Sequence, residues 1–212
     1  PTSPLILPIP STVFPDTHTC PPTVHLRPIH SADLPHLFHY ESDPAAHHMA
    51  VVNPRTQEAF NAHWGRILSN ADITALAILV EEVPVGHISC FKMEGLDSVG
   101  YWIAREHWGR GIATRALTLL LQLMPIRPLH AHAASTNLGS IRVLRNCGFR
   151  ITGHQLSPAT DRFPECEEAI LVLTPTRPDG DEAAQGAASP THAVQFPPAH
   201  VQPWPAASST KD

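Results

Sequence analysis

Lysine is almost missing from this chain. Only Lys92 and Lys211 occur among its 14 basic residues, and the rest are Arg. With 19 acidic residues the formal net charge is −5, which argues against a general nucleic-acid-binding surface. Long apolar runs are missing too. Nothing approaches the roughly 20 residues that a membrane-spanning helix needs, so no membrane partner is expected. Cysteine is sparse and scattered. Cys20, Cys90, Cys147 and Cys166 show no C-x-x-C spacing, and reduced thiols in a cytoplasmic protein are the expectation. The opening PTSPLILPIPSTVFP has no basic stretch ahead of its apolar residues and is broken by Pro, unlike a secretory signal. It does not start with Met, so a trimmed chain is expected. No internal repeat is visible.

What is present is enough apolar sequence for a core, 42% of residues. The 23 prolines crowd residues 1–22 and 174–212, where they mix with Ala, Ser, Thr and Gln. Those ends lack helical or strand periodicity and are expected to be disordered. The foldable part is 23–173, about 150 residues, a usual size for one domain.

Within it, periodicities of two and 3.6 alternate. Strands are predicted at 23–29, 74–80, 85–93, 98–103, 129–134, 149–154 and 168–173. Helices are predicted from Ser31 through Phe38, over 55–68, 112–124 and 138–146. The turn Glu81-Glu82-Val83-Pro84 makes a hairpin of two of the strands. The order β-α-α-β-β-β-α-β-α-β-β predicts an α/β (mixed α+β) fold. It has a mixed sheet with helices on its faces, not a doubly wound parallel sheet.

The segment YWIAREHWGRGIATRAL, residues 101–117, carries most of the chemistry. Val99, Tyr101 and Ile103 alternate along a strand that enters the loop Trp108-Gly109-Arg110-Gly111-Ile112-Ala113, and an apolar helix follows at once. Small residues let backbone approach a ligand closely. The first N–H groups of a helix have no partner within it, and the helix dipole adds positive potential there. A strand, a small-residue loop and a helix start in this order make an anion cradle.

Two further stretches give that anion an identity by resemblance. The loop is similar to the Gln/Arg-x-x-Gly-x-Gly/Ala acyl-CoA loop of GNAT-type N-acetyltransferases, with Trp108, Gly111 and Ala113 at its defined positions. The segment NLGSIRVLRNCGF, residues 137–149, resembles the family's Asn-x-x-Ala/Ser…Gly-Phe helix, and VHLRPIHSADLPHLF its first strand and helix. The likeness covers nearly all of 23–173 and is closest to the RimJ/RimL-like branch. It implies the GNAT fold, with a central sheet of six to seven strands, and acetyl-CoA as co-substrate. It implies that Tyr101, Trp102 and Ile103 lie on a splayed strand against the pantetheine arm. The N–H groups of Gly109, Arg110, Gly111, Ile112, Ala113 and Thr114 would cradle the pyrophosphate. Asn137 would contact the pantetheine, and Ser140 would lie near the CoA sulfur.

The implied activity is direct acetyl transfer to a primary amine on a small molecule or a protein N-terminus, by a monomer or homodimer. Such a reaction needs a base for the ammonium, polarisation of the thioester and a proton for the thiolate. Many family members carry a Tyr acid where this chain has Leu144, so Ser140 is the expected acid. Asp97 and Glu94 are the expected bases, with Glu41 and Asp43 as further candidates on the acceptor side. Segment 155–166 has no clear match to the Glu proposed as base in RimL-like enzymes. Cys147 is expected to pack rather than react.

Fifteen histidines raise the question of a metal. The tightest groups are His47-His48 and His130-x-His132, whose two rings share a strand face. No further ligands follow at a recognisable spacing, so no metal is expected. A GNAT-fold protein that binds acyl-CoA without catalysis is the alternative. A Pro-rich interaction tail ranks below both.

Overall fold

The computed structural model describes residues 22–175. The ends expected to be disordered, 1–22 and 174–212, lie outside the described residues except for Pro22, Thr174 and Pro175. The chain runs β1 (Val24–Pro28), α1 (Leu34–Glu41), α2 (Pro44–Ala50), α3 (Gln57–Ser69), β2 (Thr74–Val80), β3 (Val83–Met93), β4 (Leu96–Ile103), α4 (Ile112–Leu123), β5 (Leu129–Ala134), α5 (Leu138–Asn146), β6 (Arg150–Ser157) and β7 (Cys166–Leu173). The mixed α/β architecture expected from the sequence is present, with one helix more than expected.

That helix is α2. Asp43 caps it, its Oδ1 accepting from the N–H groups of Ala45 at 2.7 Å and Ala46 at 3.1 Å, and Pro44 occupies the first turn. An Asp-Pro start is a strong local signal. The helix has only seven residues, PAAHHMA, too few to show a period. The hairpin turn is also tighter than the sequence suggested. Glu81 and Glu82 both take positive φ, so Val83 and Pro84 already belong to β3. Glu94 and Gly95 repeat this geometry between β3 and β4, and Asp97 therefore lies inside β4.

The sheet order is β1-β2-β3-β4-β5-β7-β6. Neighbours pair antiparallel except β4 and β5, which run parallel and meet at a single pair, Ser98 opposite His130. Beyond that pair the two strands have no ladder, while β4 stays bonded to β3 as far as Ile103.

Strand alternation assigns the two faces. One face carries Ile88, Cys90, Val99, Ala131, Ala169 and Leu171, buried with Ile112, Ala116, Leu117 and Leu120 of α4 and Leu144 of α5. The other face carries Ala77 and Leu79 of β2 beneath Leu37 of α1 and Phe60, Trp64 and Ile67 of α3. Each large apolar side chain removed from water contributes roughly 1.5–3 kcal/mol. The register continues this second face through His87, whose ring packs edge-on against Trp64 of α3, and Trp102, whose indole N–H donates to the Tyr40 carbonyl of α1, to Ser98, His130, His132, Ile170 and Glu168. Among the described residues no helix is long and apolar enough to cross a membrane.

Gly86 keeps β3 and β4 in contact beside the point of divergence. A Cβ there would stand 2.1 Å from the Trp102 carbonyl oxygen. Gly86→Ala must push the Trp102 backbone away, and a loss of about 3 kcal/mol is expected in denaturant unfolding.

Candidate functional site

A cleft of about 420 Å³ passes through the sheet where β4 and β5 part. Its walls come from the second half of β4, the loop after it, the starts of α4 and α5, and Ala46, Met49 and Ala50 of α2. Of the residues predicted to hold a cofactor, Tyr101, Trp102, Ile103, Trp108, Gly109, Gly111, Ile112, Ala113, Thr114, Asn137 and Ser140 line it. Arg110 does not. It faces an adjoining groove with Arg115, and its Nη1 lies 3.3 Å from His107 Nδ1.

The loop is shaped by three local devices. The Trp108 indole N–H donates to the Ile103 carbonyl at 2.8 Å, folding the loop back on the end of β4. Gly109 and Gly111 take φ of 70° and 74°, which side chains other than glycine adopt at a cost. Gly111 then serves as the N-cap of α4, and the first helical bond runs from Arg115 N to Gly111 O. The N–H groups of Ile112, Ala113 and Thr114 lie ahead of that bond, in the helix's first turn at the cleft.

Across the cleft, Asn137 caps α5. Its side-chain oxygen accepts from Ser140 N at 3.0 Å. The Ser140 hydroxyl lies 2.8 Å from the Tyr101 hydroxyl, which also donates to the Ser140 carbonyl at 3.2 Å. Burial pushes the Tyr101 phenol up to about 12, against a smaller opposing effect of the Ser140 hydrogen bond, so it stays protonated. Leu144, at the position where many GNAT proteins have a tyrosine, is buried in the core. The phenol beside Ser140 comes from β4 instead. Its sequence signal was the Val99-Tyr101-Ile103 alternation, which points Tyr101 to the α5 side of the sheet.

The carboxylates expected as bases lie elsewhere. Asp97 is at the start of β4, with Lys92 Nζ 2.9 Å from its Oδ1. Glu94 is exposed in the preceding turn. Neither lines the cleft. Asp43 spends Oδ1 on the α2 cap, with Arg105 4.0 Å from Oδ2. Glu41 is buried against Arg55 at 3.2 Å, His87 at 3.3 Å and Arg162 at 3.6 Å. Burial alone would raise its carboxyl, but the His87 contact and the charges of Arg55 and Arg162 outweigh it and hold it at about 2. So tightly paired a carboxylate is a poor proton acceptor near neutrality.

A second polar group lies on the same face where β5, β7 and β6 adjoin. Glu168 Oε2 accepts from Ser157 Oγ at 2.6 Å and from Gln155 Nε2 at 3.5 Å, and lies 3.5 Å from His132 Nδ1. Burial pushes the Glu168 carboxyl up, yet the contacts with His132 and Ser157 prevail and keep it below its ordinary value. His130 Nδ1 is 3.2 Å from the Asp97 carbonyl oxygen, which can only accept, so the ring nitrogen donates. Among the described residues no three His, Cys, Asp or Glu side chains are placed to hold a metal ion. Cys90, Cys147 and Cys166 are free thiols.

Residues 23–150 match the profile of the acetyltransferase (GNAT) domain. The chain belongs to the GNAT acetyltransferase family. No curated protein matches it. Solved structures with the same fold include a spermidine N-acetyltransferase from Vibrio cholerae bound to CoA and spermine, 14% identical with a TM-score of 0.61 over 71% of this chain and 94% of that one. The Mycobacterium smegmatis RimJ with CoA-disulfide is 22% identical with a TM-score of 0.60, over 71% and 81%. The aminoglycoside acetyltransferase AAC(6')-Ib with coenzyme A is 18% identical with a TM-score of 0.60, over 72% and 95%. In this GNAT chain the splay of β4 from β5 and the helix start at its mouth fall together in one cleft.

Proposed function

We propose that this GNAT domain, residues 23–173, transfers the acetyl group of acetyl-CoA directly to a primary amine on a small molecule or a protein N-terminus. The observation that carries the reading is the cleft through the sheet. It joins an anion-binding helix start on one side to an apolar wall of α2 and Trp102 on the other. The pyrophosphate would lie on the N–H groups of the Gly109–Thr114 loop, with Arg110 and Arg115 at the outer groove. The pantetheine would take up the unpaired backbone of Tyr101, Trp102 and Ile103, beside Asn137. The bound CoA of the solved relatives supports this co-substrate, and spermine and the aminoglycosides bound to them support amines as acceptors. Free thiols fit a reducing compartment, and we place the reaction in the cytoplasm.

In the reaction the amine lone pair attacks the thioester carbonyl carbon, and its oxygen gains charge facing backbone N–H groups of the splayed strand. The carbon–sulfur bond then breaks. The sulfur takes a proton from the Ser140 hydroxyl, which the Tyr101 phenol can resupply across 2.8 Å. Ser140→Ala should lower kcat by about 100-fold and leave acetyl-CoA affinity within a few-fold, since general acids contribute on the order of 100- to 10,000-fold.

Thiol release from acetyl-CoA across a panel of amines tests the reading. Turnover with one or more amines is the expected result. Tight CoA binding with no thiol release on any acceptor would overturn it in favour of an acyl-CoA-binding protein without catalysis.

A further inference from the structure

With CoA against the end of β4, α4 and α5, the acceptor is left with the α2 side of the cleft. We propose that this side selects an amine whose body is apolar and carries no second positive charge. Ala46, Met49 and Ala50 of α2, with Trp102 of β4, make the selection. The proposal rests on the acetyl-transfer reading above and narrows its acceptor.

The wall is apolar by construction. Positions 46, 49 and 50 stand at i, i+3 and i+4, so they form one stripe of the short helix, and that stripe lines the cleft. Met49 is 41% exposed there. The helix's two histidines lie off the stripe. His47 packs edge-on against Trp102, with ring centroids 6.2 Å apart, and its Nε2 meets the Glu41 carbonyl. The Trp102 indole N–H is already given to the Tyr40 carbonyl at 3.1 Å, so Trp102 offers the cleft ring surface and no free donor. Two alanines leave room beside the strand, and a methionine thioether adapts to the shape it meets. An apolar group laid against this wall removes water from carbon on both sides, which favours binding.

Charge is the second argument. Among the described residues no Asp or Glu lines the cleft, and its basic lining residues are His107 and Arg142. The carboxylates that flank α2 and the end of β4 in sequence are engaged or elsewhere. Glu41 is buried against Arg55, His87 and Arg162, so guanidinium groups already outnumber it. Asp43 holds the start of α2 through Oδ1, with Arg105 4.0 Å from Oδ2. Glu106 is exposed in the turn after β4 and lies outside the lining. An ammonium group that leaves water without meeting a carboxylate is costly to bind. The reacting nitrogen escapes that cost, because it is uncharged when it attacks the thioester. Every further ammonium of a polyamine or an aminoglycoside meets it in full. The same wall therefore attracts one kind of amine and rejects the other, and specificity is the difference between the two.

The test compares kcat/KM on the full chain, at saturating acetyl-CoA, for four acceptors. These are 2-phenylethylamine, a lysine-free hexapeptide with an apolar first residue, spermine and kanamycin. Either of the first two should exceed both polycations by about tenfold or more. Which of the first two is faster distinguishes a small molecule from a protein N-terminus as the source of the apolar group. Met49→Glu sets a counter-charge on the exposed part of the wall. It should lower kcat/KM for the apolar amine about tenfold and raise that for spermine about tenfold, mainly through KM, with CoA affinity unchanged. The ratio of two acceptors on one sample does not move with the fraction of protein folded, so a merely structural role for Met49 leaves it fixed. A wild type that prefers spermine or kanamycin, or a Met49→Glu protein with an unchanged ratio, would overturn the proposal and leave acetyl transfer standing. Wild-type protein that acetylates no amine would overturn it together with the reading beneath it.

Discussion

Gly111→Asp is expected to reduce CoA affinity by at least 100-fold while the fold survives. Gly111 caps α4 with φ of 74°, and no heavy atom lies within 4 Å of the place a Cβ would occupy. The left-handed conformation costs a non-glycine residue roughly 1–2 kcal/mol. An acidic residue at a helix start recovers part of that through the unpaired N–H groups and the dipole. The protein therefore tolerates the carboxylate for the same reason the ligand does not. The new side chain takes the donors the pyrophosphate would use and sets a negative charge against it. A 100-fold loss corresponds to about 2.7 kcal/mol. Gly111→Ala is the control, since it carries the same backbone strain without the charge, and less than a tenfold loss is expected. Isothermal titration with CoA measures both. Equal affinities for wild type and Gly111→Asp would remove the loop from the binding site.

The parts of this site that were legible in the sequence are those fixed by local backbone chemistry. Gly109 and Gly111 announce a tight loop, Asn137 a helix start, and the spacing of Val99, Tyr101 and Ile103 a strand face. Each acts within a few residues of itself, so reading along the chain finds it. Helix α2 was missed because its signal is one Asp cap followed by seven residues, Pro44 the first of them, without a period. The base was sought by counting back from the loop, which reaches Asp97 and Glu94. The tight turn at Glu94-Gly95 sets both at the far end of β4 from Trp102 and Ile103. His132 and Glu168 meet only because β7 inserts between β5 and β6. That crossing is a long-range choice of strand order, and no local pattern encodes it. The pairing of His130 and His132 on one face was visible, but the carboxylate beside His132 was not.

Glu41→Gln is expected to cost about 3 kcal/mol at neutral pH, a large part of the stability of a domain this size. Four segments converge on this carboxylate: the end of α1, Arg55 from the α2–α3 loop, His87 from β3, and Arg162 from the β6–β7 loop. Arg162 also donates to the Asn53 carbonyl, and Asn53 N donates back to the Arg162 carbonyl at 2.7 Å, so the two loops are clasped around the charge. Burial and the charge of Arg55 pull the Arg162 guanidinium down to about 10, and it remains charged at neutral pH. Glutamine keeps the shape and one acceptor oxygen but leaves two half-buried guanidinium groups without a counter-charge. The pH dependence separates this effect from a packing defect. Glu41 titrates lower folded than unfolded, so its contribution is complete above about pH 4.5 and is lost as the pH falls towards 2. His63 is also depressed, to about 3, chiefly by burial and then by Arg55. Its contribution fades between about pH 6.5 and 3, but it is present in both proteins and largely cancels in their difference. The stability gap between wild type and Glu41→Gln should therefore be widest at pH 7 and narrower at pH 3, as denaturant unfolding at the two pH values would measure. A gap that is the same at both would mean that shape, and not the carboxylate charge, holds the two loops together.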